Sequence, residues 1–333
     1  METQVLKKPF GKSVLDLDCR AETEKITAAL KRLVRGFKRR GVVVALSGGI
    51  DSSVTAALCV RAFGKERVFG LHMPERDSDS GTLGFSQSVS DHLGIDSAVE
   101  EISATLESLG CYRRRDDAIR LAIPEYGPGW KSKIVLPNVV DHEGFNFFSV
   151  VAQAPDGSQT KRRLPLEAYL GVVAASNFKQ RVRKMMEYYH ADRLNYATTG
   201  TPNRLEYDQG FFVKLGDSGG DVKPIAHLYK SQVYQMGEYL GIPEHIRRRP
   251  PTTDTYSLPQ SQDEFYFSLP YDKLDLCLWG KNHGVPLGDV AEAAGLSRDQ
   301  TERVFKDIDV KRETTRYLHL KPQLVESIPE VDA

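Results

Sequence analysis

Residues 42–53 read VVVALSGGIDSS, and the reading of this string decides the fold. Val42 to Leu46 form a continuous apolar run of the kind buried in a parallel sheet. Gly48 and Gly49 let the backbone turn sharply and admit a ligand with no Cβ in its way. Ser52 and Ser53 are N-cap candidates for a helix through Val54, Ala57, Leu58 and Phe63, which Gly64 closes. A glycine turn feeding a helix N-terminus presents backbone N–H groups and the positive end of the dipole, a site suited to phosphate. The loop has no lysine, so it is not the GxxxxGK[ST] loop, and Asp51 stands where that lysine would be. Beside a phosphate, a carboxylate at that position suits Mg²⁺.

The 333 residues balance 45 acidic against 45 basic side chains, so no overall field draws the chain to nucleic acid or to an anionic membrane. The clusters Arg113–Arg115 and Arg247–Arg249 read as solvated faces. No apolar stretch approaches the ~20 residues that span a bilayer. The opening METQVLKKPFGKSVLDLD lacks the apolar segment of a secretory signal. Cys19, Cys59, Cys111 and Cys277 are scattered without a CxxC pair, which fits free thiols in a reducing cytoplasm.

Around the loop, strands and helices alternate. Residues 22–40 predict an amphipathic helix with Ile26, Leu30, Leu33, Val34 and Phe37 on one face, ended by Gly41. A second strand at 67–74, a helix near 82–93 and a strand near 97–102 extend the pattern to a doubly wound parallel sheet. Ligands on such sheets bind at the carboxyl ends of the strands, where Ser47 to Ser53 lie. Residues 111–168 break the rhythm with Pro124, Gly127, Pro128 and Gly129, then alternating stretches at 133–136 and 145–153 and a Pro155-Asp156-Gly157 turn. They predict a β-hairpin or small antiparallel subdomain inserted in the α/β core. A long helix from about 169 to 190, with Phe178, Val182, Met185 and Tyr189 on one face, resumes the core, and a strand at 194–199 follows. Helices are expected near 228–240, 285–295 and 298–318, with a frayed tail after Pro322.

The Ser47–Ser53 loop resembles the SGGxDS loop of the N-type ATP pyrophosphatases, which split ATP to AMP and pyrophosphate. Later segments are similar to the ammonia-dependent NAD synthetases within that superfamily. They are Asn177 to Arg183, Gly200 to Glu206 (GTPNRLE), Gly210 to Asp217 (GFFVKLGD), Ser218 to Asp221, Pro224 to Ala226, Leu228 to Val233, Leu240 to Pro243, Pro251 to Asp254, and Asp263-Glu264. The resemblance covers about residues 20–110 and 170–280. It implies an adenine-nucleotide α-hydrolase-like, Rossmann-like domain over 1–330, with an insertion at about 111–168 and a C-terminal helical lid at about 285–321.

By the same resemblance ATP is held by Ala45, Leu46, Ser47, Gly48, Gly49, Ile50, Asp51, Ser52, Ser53, Thr201, Lys230 and Thr252. Mg²⁺ lies on Asp51 and Glu206, both expected at carboxyl ends of strands. Lys230 carries positive charge to the α-phosphate. Asp217 holds or deprotonates the incoming ammonium, with a turn-capping aspartate as an equal reading. Asn177, Arg181, Lys214 and Asp221 contact deamido-NAD, and His319 and Lys321 are the nearest counterparts of the family's closing His-Lys pair. The implied reaction adenylates the nicotinate carboxylate of deamido-NAD, and ammonia then displaces AMP. Val213 and Leu215 stand where the family has Thr and Tyr, which keeps open a related ligase that amidates another acid, or a non-catalytic nucleotide binder. A homodimer is implied, without nucleic-acid or membrane partners. The nitrogen comes from free ammonia or from a separate glutaminase.

Overall fold

Val42, Val43 and Val44 alternate faces of a strand, and both faces are buried: Val42 and Val44 join one apolar cluster and Val43 another. A strand covered on both sides must lie inside a layered α/β sheet. The computed structural model describes residues 10–136, 147–252, 255–267 and 269–331 and has this architecture.

The chain runs α1 (Cys19–Gly36), β1 (Val42–Ala45), α2 (Ile50–Phe63), β2 (Val68–His72), α3 (Thr82–Leu93), β3 (Asp96–Val99), α4 (Ser103–Ser108) and α5 (Cys111–Arg120). A separate sheet of β4 (Lys131–Val135), β5 (Ser149–Gln153) and β6 (Gln159–Arg163) follows. Then come α6 (Leu166–Leu194), β7 (Ala197–Thr198), α7 (Arg204–Gln209), α8 (Lys230–Tyr239) and α9 (Glu244–Arg247). Last are α10 (Tyr271–Asn282), α11 (Leu287–Ala294) and α12 (Arg298–His319). The main sheet is parallel in the order β3-β2-β1-β7, with Val42 beside Val68 on one side and Ala197 on the other. Helices α1, α2 and α8 cover one face; α4, α5 and α6 cover the other.

Several local expectations need correction. Helix α1 begins at Cys19, because the Asp18 carboxylate accepts from the backbone N–H of Arg20 and Ala21, and it ends at Gly36. Its buried stripe is Ile26, Leu30 and Val34, while Leu33 and Phe37 are exposed. Gly49, not Ser52 or Ser53, is the N-cap of α2. Both serines sit in its first turn and donate back to the Gly49 carbonyl, at 3.1 and 2.8 Å. On α6, Val182 is buried but Met185 and Tyr189 face outward.

The irregular region also divides differently. Residues 111–120 form α5, which packs on α6 as part of the main core. Its apolar signal is diluted by the Arg113–Arg115 run, which hides it within the stretch expected to form the inserted β subdomain. The antiparallel sheet has three strands, β4-β5-β6, over a core of Ile134, Val150 and Ala152 with Ile119, Ile123 and Val172. Residues 137–146, which include the start of the 145–153 stretch, lie outside the described residues, as do Thr253 and Asp254. The side chains of Asp263 and Glu264 are also outside them.

Candidate active site

A cavity of about 1480 Å³ opens at the carboxyl ends of β1 and β7 and extends between α6, the 210–217 loop and α12. Ala45, Leu46, Ser47, Gly49, Ile50, Asp51 and Ser52 line it; Gly48 and Ser53 lie behind. Gly48 has φ +71, and a Cβ there would come within 2.7 Å of Phe85 Cβ, so only glycine makes this turn against α3. The loop is cross-braced by its own hydroxyls. Ser52 Oγ accepts from the Ser47 amide at 3.2 Å, and Ser47 Oγ accepts from the Gly49 amide at 3.3 Å. The first amides of α2 have no partner one turn back, so they remain available to an anion at the cavity mouth.

Asp51 meets two other elements here. Its carboxylate pairs with the Lys230 ammonium and accepts from Asn203 Nδ2 at 3.0 Å. Lys230 is the first residue of α8, held there because the Asp275 carboxylate accepts from the Lys230 and Ser231 amides at 3.3 and 2.7 Å. Burial pushes that Asp275 carboxyl up to about 6. Asn203 caps α7 in a capping box, in which Glu206 Oε2 accepts from the Asn203 amide at 3.1 Å. Glu206 therefore stands in the first turn of a short helix rather than at a strand end. Its other oxygen accepts from Gln262 Nε2 at 3.1 Å.

The electrostatics of this cluster are unbalanced. Burial, then the charge of Asp51, lift the Glu206 carboxyl far above the ordinary range, to about 8, although Lys230 opposes the shift. Burial disfavours the Lys230 ammonium, but Asp51 and Glu206 outweigh it and hold its pKa above the usual lysine value. Two half-buried carboxylates share one lysine. One further cation would complete the charge balance, and two carboxylates with phosphate oxygens and water are the donor set Mg²⁺ prefers. Among the described residues there is no cluster of three or more His, Cys, Asp or Glu side chains able to hold a metal alone.

Thr201 and Thr252 line the cavity, as do Asn177, Arg181, Lys214 and Asp217. Arg181 Nε donates to the Lys214 carbonyl at 3.3 Å, and Lys214 Nζ donates to the Tyr317 carbonyl at 3.0 Å, joining α6, the 213–217 turn and α12. Asp217 accepts from the Val213 amide at 2.6 Å, the geometry of a turn cap. Burial raises its pKa against the pull of that amide and of Lys184.

Three expected substrate contacts fall outside the cavity. Asp221 accepts from the Thr198 amide at 2.8 Å and so fastens β7 from the far side. His319 packs edge-on against Tyr207 and Phe212, and Lys321 is exposed beyond α12. A helix of 22 residues carries Tyr317 and Leu318 to the cavity and then passes it.

Sequence reasoning missed several residues. Gln262 is one, although it directly precedes the Asp263-Glu264 match. Arg249, assigned to a solvated run, donates to the Ser47 carbonyl at 3.3 Å and to Thr82 Oγ1 at 2.9 Å. It thereby brings a positive charge to the Ser47–Ser53 turn, which has no lysine or arginine of its own. Its place two residues before Pro251-Thr252 was the available signal. Lys184 and Glu187, paired at 2.6 Å on the cavity side of α6, carried no signal beyond helical spacing.

The NAD synthase family model matches residues 22–120 and 158–316. The ammonia-dependent NAD⁺ synthetase of Rhizobium meliloti (strain 1021) is 58% identical over 323 residues, covering 97% of each chain. The enzyme of that name from Thermotoga maritima is 33% identical over 266 residues, 80% of this chain and 89% of that one. Among solved structures, the ammonia-dependent NAD synthetase of Campylobacter jejuni superposes with a TM-score of 0.60 at 21% identity, covering 93% of this chain and all of that one. An NMN synthetase from Francisella tularensis gives 0.64 at 19% identity, covering 94% and 100% of the two chains. Those two likenesses speak to the fold alone. No described helix is long and apolar enough to cross a membrane. On the sequence matches and the architecture together, the chain belongs to the NAD synthase family.

Proposed function

We propose that this chain is an ammonia-dependent NAD synthetase: it adenylates the nicotinate carboxylate of deamido-NAD with ATP and then replaces AMP by ammonia. The observation that carries this reading is the convergence of Asp51, Glu206 and Lys230 at the mouth of the Ser47–Ser53 turn. A carboxylate oxygen attacks the α-phosphorus, the bond to the β-phosphate bridging oxygen breaks, and pyrophosphate leaves. Ammonia then attacks the acyl carbon, the bond to AMP breaks, and the nitrogen sheds protons to become an amide.

In this scheme the first amides of α2 and Arg249 bind the departing pyrophosphate. Lys230, fixed at the start of α8 by Asp275, faces the charge that builds on the α-phosphate. Asp51 and Glu206 would hold Mg²⁺, which supplies charge neutralisation of the phosphates. Asn177, Arg181 and Lys214 face the acid substrate from α6 and the 213–217 turn. No side chain becomes a covalent nucleophile, so positioning and electrostatics carry the rate.

Ammonia arrives free or from a separate glutaminase, and the site of action is the cytoplasm, in keeping with four free cysteines. Met185 and Tyr189 on α6, 55% and 58% exposed, support a homodimer, to be measured by sedimentation. The test of function is incubation with ATP, Mg²⁺, ammonium and deamido-NAD. Equal amounts of NAD, AMP and pyrophosphate are expected. AMP released only by a different carboxylic acid would replace this reading with that of a related amide ligase.

A further inference from the structure

The family model leaves out residues 121–157, which hold β4 and β5, yet the alignment with the Rhizobium meliloti relative spans 97% of this chain and so encloses them. The segment has a definite attachment. The Leu258 amide donates to the Ser132 carbonyl at 3.2 Å, and Ser257 Oγ accepts from the Ser132 amide at 2.9 Å. Lys133 Nζ reaches the Pro259 carbonyl at 3.3 Å, and the side-chain Nε2 of Gln260, a residue only 4% exposed, donates to the Ile134 carbonyl. Among the described residues β4 is an edge strand of its sheet, paired within it to β5, and residues 257–260 occupy the edge it would otherwise present.

The clamped residues are the tip of a loop whose base enters the active site. Thr252 bridges Ser261, and the Gln262 amide donates to the Pro251 carbonyl at 3.4 Å, which closes the base. Both base residues line the cavity, Thr252 on the ATP side and Gln262 with its amide on Glu206. On the flank, Lys179 Nζ donates to the Thr255 carbonyl at 2.8 Å, and Tyr256 is buried in the core of the inserted sheet.

We propose that the inserted sheet is a splint for residues 255–262, and that Ser257 and Gln260 are positioning residues which, through β4, set Gln262 against Glu206 and, through the bridge of Ser261 to Thr252, set Thr252 against ATP. The inference rests on the proposed synthetase reading and deepens it. The insertion acts on the nucleotide and metal side of the reaction rather than on the acid. Leu136 and Phe148 do reach the cavity wall, but the hydrogen bonds converge on the loop that carries Thr252 and Gln262.

The test is the double variant Ser257→Ala, Gln260→Ala in the full chain, with Lys161→Ala on the distal strand β6 as control. Steady-state rates of AMP formation give KM for ATP, half-saturating Mg²⁺ and KM for deamido-NAD separately. Loss of two hydrogen bonds in the splint is expected to raise the ATP and Mg²⁺ values about fivefold to tenfold, with KM for deamido-NAD within about twofold and the control unchanged. Unchanged ATP and Mg²⁺ values would overturn the splint. So would a parallel fall in all parameters that tracks a lowered Tm, since that is loss of stability alone. If the double variant does not fold, Ser257→Ala alone is judged by the same split. Wild-type protein that forms no AMP with deamido-NAD would defeat the synthetase reading instead. Binding of ATP and Mg²⁺ to the variant, followed by calorimetry, would then still decide the splint.

Discussion

Two regions that meet at the Asp51–Glu206–Lys230 cluster are built in opposite ways. Around the Ser47–Ser53 turn the critical groups come from local grammar: a strand end, a glycine with φ +71, and the first turns of α2, α7 and α8. Beside it, residues 255–262 bring Gln262 to Glu206 and are held by a sheet more than a hundred residues earlier in the chain. The contrast teaches that chemistry encoded in short motifs is rigid wherever secondary structure ends at the site. Chemistry carried on a loop needs a separate brace.

Breaking the locally encoded side has the largest effect. Asp51→Asn removes one of two carboxylates and the partner of Lys230, and AMP formation should fall about a thousandfold with near-native circular dichroism. Lys230→Ala should lower kcat about a hundredfold with a smaller change in KM for ATP, as expected for a group that acts on transition-state charge. It also leaves the half-buried Asp51 and Glu206 without a counter-charge, so the metal-free variant should melt lower and recover more than wild type on adding Mg²⁺.

Proton linkage sharpens the same comparison. Burial and the neighbouring Asp51 charge push the Glu206 carboxyl up to about 8 in the folded chain, from an ordinary value of 4.5. A raised carboxyl pKa means that the folded, metal-free protein keeps a proton that the unfolded chain has lost. This group therefore takes stability away as pH rises from about 4.5 to about 8. Mg²⁺ must displace that proton, so affinity should rise with pH up to about 8 and then level off. Glu206→Gln should flatten the profile in a calorimetric titration.

Smaller effects mark the periphery. The splint variant should move ATP and Mg²⁺ parameters about fivefold to tenfold, roughly one to two orders below the Lys230 and Asp51 variants. Asp221→Ala should cost about 1–3 kcal/mol of stability, read by denaturant unfolding, because two donors on Thr198 lose their acceptor. KM for deamido-NAD should stay unchanged. An equal loss in that KM would return Asp221 to the substrate.

Much of the build of the Ser47–Ser53 region was legible in the sequence because turn chemistry is local. Ser47 to Ser53, Glu206 and Lys230 stand in motifs whose spacing fixes which element ends where. Even there the helix start was misplaced, because serines that bond back to Gly49 resemble caps. Gln262, Lys179 and Asp275 were not legible, since each is defined by a partner distant in sequence. Asp221 and His319 were legible only as motif positions: where their side chains settle, Asp221 on the Thr198 amide and His319 edge-on to Tyr207, is set by partners that motif order does not specify.

The central claim is that a carboxylate is activated by transfer of AMP at the Asp51–Glu206–Lys230 cluster. Deamido-NAD carrying ¹⁸O in its nicotinate carboxylate tests it directly, with the products resolved by mass spectrometry. The account predicts that one labelled oxygen per turnover appears in the phosphate of AMP and none in pyrophosphate. Label in inorganic phosphate alongside ADP, or unlabelled AMP, would contradict it.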